Sequence, residues 1–300
     1  MSSGRRADVR GGGAVSSRSN WFSRPLQRDA AGWARQFPRA DRCAPLHLAS
    51  RWWIGHIPFA FELVARLRPA TVVELGTYSG TSLAAFCQAA SACQAGTICY
   101  GVDTWEGDVH MGRFRDNLYR EVALLMQQEF PGVAVLVRKR FDEALGGFPE
   151  RSIDLLHIDG THTYEAVRHD FESWCPRVSD RGVVLLHDTN VTRRDVGGRA
   201  AEYGVRRLFD ELRLHYPHLE FRHSCGLGVL LVGRTPVPGV MELLDHSRRP
   251  GFHAYFESLG AALSRRFQQR SRPRTLVGSL RWLLDRCGCS GATGDPRHAS

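Results

Sequence analysis

Thr71-Val72-Val73-Glu74-Leu75-Gly76-Thr77-Tyr78-Ser79-Gly80 is the stretch on which the fold turns. A short β-branched run ends in a turn bracketed by two glycines, and the Ala-rich stretch from Thr81 to Ala92 then reads as a helix. Strand, tight turn and helix follow within about twenty residues. The glycines let backbone amides approach a ligand, and the helix N-terminus behind them offers unpaired N–H groups to a negative group. Tyr78 stands where a second close glycine would complete G-x-G-x-x-G, so a carboxylate suits this turn better than a dinucleotide pyrophosphate. A plain strand-to-helix connection is the alternative.

Reading outward, Phe59, Leu63 and Leu67 recur every four residues within Arg51 to Leu67 and stop before Pro69, which predicts an amphipathic helix. Downstream, strands are expected at Thr97 to Val102, Val133 to Val137, Ile153 to Ile158 and Val183 to Leu186. Helices are expected at Phe114 to Phe130, Tyr164 to Trp174 and Val205 to Tyr216, Pro176 closing the second. Leu219 to Phe221 and Gly228 to Val232 flank Cys225-Gly226 and read as a hairpin. Five β/α units and this hairpin describe an α/β fold: a doubly wound, Rossmann-like sheet, mostly parallel, with a C-terminal antiparallel hairpin strand. Ligands of such sheets bind outside the carboxyl ends of the strands, near the switch in strand order.

Composition bounds the rest. With 300 residues, 43% apolar and 24% charged, the chain can bury a substantial core, which excludes disorder throughout and disulfide miniproteins. No apolar run reaches a membrane span, and the default address is the cytoplasm. Eight cysteines form no C-x-x-C pair, so they read as small core hydrophobes. The net charge of +9 sits at the ends: residues 1 to 40 and 234 to 300 carry +6 each, leaving 41 to 233 at −3. A nucleic-acid target across that acidic middle is disfavoured. Four segments are expected: a disordered leader (1–20), an N-terminal helical lid or extension (21–68), a catalytic domain (69–233), and a basic extension (234–300) with a helix from His253 to Gln269 and a disordered tail from Gly288.

The strand tips carry the chemistry. Asp103 ends the second strand, where an acid can accept both hydroxyls of a ribose; a helix N-cap is its plain alternative. Arg140-Phe141-Asp142 follows the third strand and either flanks an adenine or simply starts a helix. The fourth strand ends in His157-Ile158-Asp159-Gly160-Thr161-His162 and the fifth in His187-Asp188-Thr189-Asn190. Neighbouring strands lie about 4.8 Å apart, so Asp159 and Asp188 can converge on one point, where a hard divalent cation would relieve their repulsion. Capping of the following helices is the alternative. His187 is either a third ligand or a group orienting Asp188, His157 reads as a satisfied core histidine, and His162 suits proton transfer near neutral pH.

Glu74 to Gly80, Asp103-Thr104-Trp105-Glu106-Gly107-Asp108, Ile153 to His162 with Tyr164-Glu165, and Arg181-Gly182 through Thr189 together resemble the class I S-adenosylmethionine-dependent methyltransferases. Within that class they look like the bacterial family with V-D-T-W-x-G-D and H-I-D-G-x-H-x-Y-E signatures, linked to glycan and glycosyltransferase pathways. Catechol and antibiotic-sugar O-methyltransferases are more distantly similar. The resemblance implies that Glu74, Gly76, Tyr78, Gly80 and Ser82 surround the methionine part of the cofactor, that Asp103 holds its ribose, and that Thr77, Thr104, Arg140 and Phe141 complete the cofactor set. It further implies Asp159 and Asp188 as ligands of Mg²⁺ or Mn²⁺, and His162 at the general-base position. Arg140, where relatives carry a small hydroxyl residue, and His187, where the sugar enzymes carry an acid, depart from the pattern.

The expected activity is methyl transfer to a hydroxyl of a sugar, glycan or glycosylated small molecule, with homo-oligomerisation left open. A nucleic-acid-associated methyltransferase using the Arg-rich ends, an NAD(P)-binding oxidoreductase and a non-catalytic scaffold are the competing readings. Trp52, Trp53 and His56 are read either as a lid or sugar platform or as core packing.

Overall fold

The computed structural model describes residues 23–270. The leader expected over 1–20 and the tail expected from Gly288 lie outside those residues.

Seven strands form one sheet: β1 (Thr71–Leu75), β2 (Ile98–Asp103), β5 (Ala134–Arg138), β6 (Ile153–Ile158), β7 (Val178–His187), β8 (His218–Phe221) and β9 (Leu227–Leu231). A two-stranded ribbon, β3 (Gly107–Asp108) with β4 (Gly112–Arg113), stands apart from it. The sheet order is β5-β2-β1-β6-β7-β9-β8, with β9 antiparallel to both β7 and β8 and the other pairs parallel. From β1 the chain winds one way through β2 and β5 and the other way through β6 and β7. The switch point therefore lies between β1 and β6, where the crevice for a ligand belongs. This is the doubly wound sheet with an antiparallel hairpin strand that the alternation predicts.

Alternation along each strand sends neighbours to opposite faces. Val72, Cys99, Leu155, Val183 and Leu185 pack under α3 (Ile57–Leu67) and α4 (Thr81–Cys93). Val73, Val102, Leu156, Val184 and Leu186 pack under α6 (Phe141–Leu145), α7 (Tyr164–Trp174) and α9 (Val205–Leu212). Both faces are covered, which is why the strands read as near-continuous apolar runs.

The segments flanking the sheet pack on one another. α1 (Ser23–Gln36), α2 (Pro38–Asp41), α10 (Pro238–Ser247) and α11 (Phe252–Arg270) gather around α3. Phe37 stands 5.6 Å from Phe252 and 5.3 Å from Phe256, while Glu62 accepts from the backbone N–H of Arg39 and Ala40 at 2.6 and 3.0 Å. Gly260 lies so close to Gly55 that a side chain there would overlap the Gly55 backbone.

Element boundaries differ from expectation where no side-chain period exists. The helix expected from Arg51 begins with a 3₁₀ turn at Ile54–His56. That expected from Phe114 is α5 (Leu118–Glu129), because the ribbon occupies the preceding residues and two-residue strands leave no pattern to read. The helix expected to reach Tyr216 ends at Leu212; α10 and α8 (Arg193–Val196) were not anticipated. Trp53 and His56 are buried in the core, and Trp52 and Trp53 border the main cavity. Among the described residues no helix is long and apolar enough to cross a membrane.

Candidate active site

The turn after β1 is conformationally specialised. Gly76, Tyr78 and Gly80 all have positive φ, at 92°, 46° and 75°, and Gly80 caps α4. The positive φ of Tyr78, unusual for a side chain of that size, is held from outside: its N–H donates to Asp103 Oδ2 at 2.8 Å and its carbonyl accepts from Trp105 Nε1 at 2.9 Å. Asp103 Oδ1 also accepts from the Trp105 N–H at 2.7 Å. Asp103 therefore ties the tip of β2 to the β1 turn and caps no helix. Burial raises its pKa, against the lowering effect of these amide donors.

These residues wall a cavity of about 610 Å³. Gly76, Thr77, Tyr78, Ser82, Asp103, Thr104, Arg140 and Phe141 line one part of it; Asp159, His162, His187 and Asp188 line another. Arg140 and Phe141 border the cavity and start α6 at once, Glu143 accepting the Arg140 N–H at 3.1 Å. Two members of the expected cofactor set do not reach the wall. Gly80 acts through the backbone as a cap, and Glu74 lies beneath the wall, where Oε2 meets His157 Nδ1 at 3.0 Å. Trp53 Nε1 donates to His157 Nε2 at 3.1 Å, so His157 carries its proton on Nδ1 and donates it to Glu74. His157 is thus the satisfied core histidine of the sequence reading. Burial raises the Glu74 pKa, and Oε1 is left without a partner.

At the acidic tips, donor atoms of Asp159, His162 and Asp188 lie within 4.8 Å of one another. His162 Nε2 is 2.8 Å from Asp188 Oδ2 and 3.6 Å from Asp159 Oδ1. The capping alternative fails for both acids: α7 is capped by Thr163, whose hydroxyl accepts from Ala166 N, and α8 by Thr192. Asp188 has φ +65° where the chain leaves β7, with its N–H bonded to Gly226 O at 3.1 Å. In that conformation its carboxylate meets His162, beyond the tip of β6, a strained placement of the kind found at functional sites.

His187, expected as a ligand or an orienting group, faces both acids. Its Nδ1 lies 3.1 Å from Asp159 Oδ1 and 3.2 Å from Asp188 Oδ1, and its Nε2 is turned to Ser224 O at 3.2 Å. Both ring nitrogens are engaged, and the close group of donor atoms with the two acids includes His162. Burial disfavours charge on either ring, yet the facing carboxylates lift His187 to about 9 and His162 to about 10. Burial would raise Asp159 as well, but the two histidines hold it well below the usual carboxylate range. The histidines supply the counter-charge that two adjacent carboxylates require.

Sequence reasoning missed His110, Tyr203 and Asp170. His110 packs 5.4 Å from His162 and 4.8 Å from Tyr203, and Tyr203 stacks on His162 at 4.8 Å. Only the Asp108-Val109-His110 spacing could have flagged the first. Asp170, buried on α7, borders the cavity beside Gly160 without a sequence cue.

The fold and cavity define a doubly wound α/β protein with a crevice at the switch point of its sheet. The family model described as "Methyltransferase domain" matches residues 73–189, the span from β1 to just past Asp188. A relative, the uncharacterized protein y4gI of Sinorhizobium fredii, is 42% identical over 191 residues, covering 64% of this chain and 20% of y4gI. The chain thus spans about a fifth of that relative's length. Similar solved structures include the O-methyltransferase TomG from Streptomyces achromogenes, involved in tomaymycin synthesis and solved with SAM, at 14% identity, TM-score 0.43, covering 73% of this chain and 92% of TomG. Another is the SAH-bound methyltransferase PaMTH1 of Podospora anserina, at 12% identity, TM-score 0.46, covering 72% of this chain and 98% of PaMTH1.

Proposed function

We propose that the chain is an O-methyltransferase that uses S-adenosylmethionine and a divalent cation, Mg²⁺ or Mn²⁺, to methylate a hydroxyl of a sugar, a glycan or a glycosylated small molecule. The observation that carries this reading is that the β1 turn with Asp103 and the Asp159–His162–Asp188 group wall one cavity. The chain's residues fit both groups. Gly76, Thr77, Tyr78 and Ser79 line the cavity, and among the described residues the buried Thr77 hydroxyl finds no partner. Asp159 and Asp188 present the oxygen donors that a hard cation prefers.

When bound, S-adenosylmethionine supplies an electrophilic methyl carbon, and the cation supplies Lewis acidity toward the acceptor oxygen. The Gly76 to Gly80 backbone and Asp103 hold the nucleoside and amino-acid parts of the donor, with Ser82, Thr104, Arg140 and Phe141 around them. Asp159 and Asp188 hold the cation, and His187 keeps both carboxylates oriented. His162, once it has shed the proton that the two acids otherwise hold on it, takes the proton of the acceptor hydroxyl, a role worth about 10²- to 10⁴-fold. Fixing the acceptor oxygen in line with the methyl group contributes up to roughly 7 to 11 kcal/mol. Trp52, capped by Arg51 at 4.0 Å, and Tyr203 give the cavity aromatic surfaces suited to the apolar face of a sugar ring. Within this reading residues 69–233 are the catalytic unit, and 21–68 and 234–300 its flanking extensions.

The test is incubation of the protein with labelled S-adenosylmethionine, Mg²⁺ or Mn²⁺, and an extract of its own host, followed by mass spectrometry. A methylated carbohydrate is the expected product. Label appearing only in noncarbohydrate products would reject the acceptor, and failure to bind S-adenosylhomocysteine in calorimetry would reject the activity.

A further inference from the structure

We infer that Asp108, His110 and His162 form a second cation site, distinct from the Asp159–Asp188 pair, that takes a nitrogen-seeking transition-metal ion of the Zn²⁺ or Co²⁺ class. One donor atom from each of the three lies within 4.8 Å of the others. The set shares His162 with the first group, but Asp108 and His110 belong to the ribbon, which the proposed methyl transfer leaves unused.

Two observations point to a ligand independently of that clustering. His110 is only 4% exposed, yet among the described residues neither of its ring nitrogens has a hydrogen-bond partner, and His162 Nδ1 is likewise buried and unpartnered. An imidazole desolvated on both nitrogens forfeits its bonds to water and gains none in return, an arrangement native proteins resolve with a partner or an ion. The ribbon, for its part, is built to hold this geometry. Asp108 Oδ1 accepts the N–H groups of His110 and Met111 at 2.8 and 2.7 Å, fixing the carboxylate relative to the imidazole two residues on. Gly107, at φ +98°, lies against the Gly112 backbone with no room for a side chain, and Arg199 donates to the His110 carbonyl at 2.6 Å. Glu202 Oε2 stands 3.9 Å from His110 Nε2, within reach of a fourth position.

The donor chemistry selects the ion. Two imidazoles and one carboxylate suit zinc, cobalt or iron(II), whereas Mg²⁺ demands a shell of oxygens and keeps several waters. The two sites therefore differ in preference: oxygen donors dominate at Asp159 and Asp188, nitrogen donors at the ribbon. Packing alone is the competing account, since His110 also lies between the rings of His162 and Tyr203.

The experiment uses the tag-free full chain, stripped with chelator and titrated with Co²⁺ while visible absorption and bound metal are recorded. The parent is expected to bind one more Co²⁺ per chain than His110→Gln, and the bands lost in that variant to reappear in no Mg²⁺ titration. Asp108→Asn should weaken the same component. In an Asp159→Asn/Asp188→Asn background the His110-dependent ion should persist, so the failure of the first cation site and of this one are read separately. Equal Co²⁺ stoichiometry and equal spectra for parent and His110→Gln, both retaining the parent's thermal midpoint, would overturn the proposal and leave His110 a packing residue. Should His110→Gln not fold, Zn²⁺-induced shifts of the His110 ring resonances in the parent decide the matter: shifts support the site, and their absence at saturating Zn²⁺ rejects it.

Discussion

Gly76 and Asp159 are in backbone contact: a Cβ on Gly76 would overlap the carbonyl oxygen of Asp159, whose own N–H bonds to Leu75 O at 2.8 Å. The turn assigned to the methyl donor and the tip carrying the first acid are therefore one rigid unit. Movement of either displaces the other.

Gly76→Ala should consequently lower stability by about 1 to 3 kcal/mol and abolish S-adenosylhomocysteine binding together. Gly96, also at positive φ (67°) but with open space around it, is the control. Gly96→Ala should show only backbone strain, about 1 to 2 kcal/mol, with ligand binding intact. Chemical denaturation and calorimetry on both variants check this, and equal behaviour of the two would remove the argument from contact.

Asp159→Asn and Asp188→Asn should each reduce turnover by about 10³-fold or more while S-adenosylhomocysteine still binds, because several kcal/mol of Lewis-acid assistance are lost. Treating the parent with EDTA should give the same split. Full activity in chelator would retire the cation from the mechanism.

His162→Ala is expected to lower kcat by about 10²- to 10⁴-fold without weakening cofactor binding. The pH–rate profile distinguishes the roles. Loss of the limb that reports the base supports proton transfer, whereas a parallel, uniformly lowered profile would make His162 a positioning residue.

Asp170 sets a pH dependence of stability. Burial lifts its carboxyl to about 7, with nearby His169 pulling it down and Asp142 pushing it up. In the unfolded chain it titrates near 3.9. Between about pH 4 and 7 the folded state thus holds a proton that the unfolded state has released, so this group makes stability fall as pH rises through that window. Asp170→Asn should flatten the slope and stabilise the protein at pH 8 by about 1 to 3 kcal/mol. Urea midpoints at pH 5 and pH 8 test it, and an identical slope in both proteins would refute the assignment.

Much of the fold was legible because it rests on local periodicity. β1 and α7 have the expected boundaries, Thr71–Leu75 and Tyr164–Trp174, since a β-branched run before glycine and an apolar face closed by Pro176 are short-range signals. The ribbon of β3 and β4 was invisible for the opposite reason: four residues hold no period. The site was legible in part. The convergence of Asp159 with Asp188 followed from parallel pairing of β6 and β7, but the partners of His162 and His187 did not, because they depend on the turn at Asp188 and on Ser224 arriving from beyond β8.

The sequence alone determined the doubly wound order of elements, the acids at three strand tips and the glycine turn, all of which are encoded within windows of a few residues. Only the tertiary structure decided which partner each histidine serves: His157 the Glu74 carboxylate, His187 the Ser224 carbonyl, His162 the paired acids, His110 the ring of Tyr203. It also decided that Phe37 meets Phe252 and Phe256 across more than two hundred residues of chain. Such contacts join residues far apart along the chain, and their selection comes from complementary shape, burial and charge once the sheet has closed.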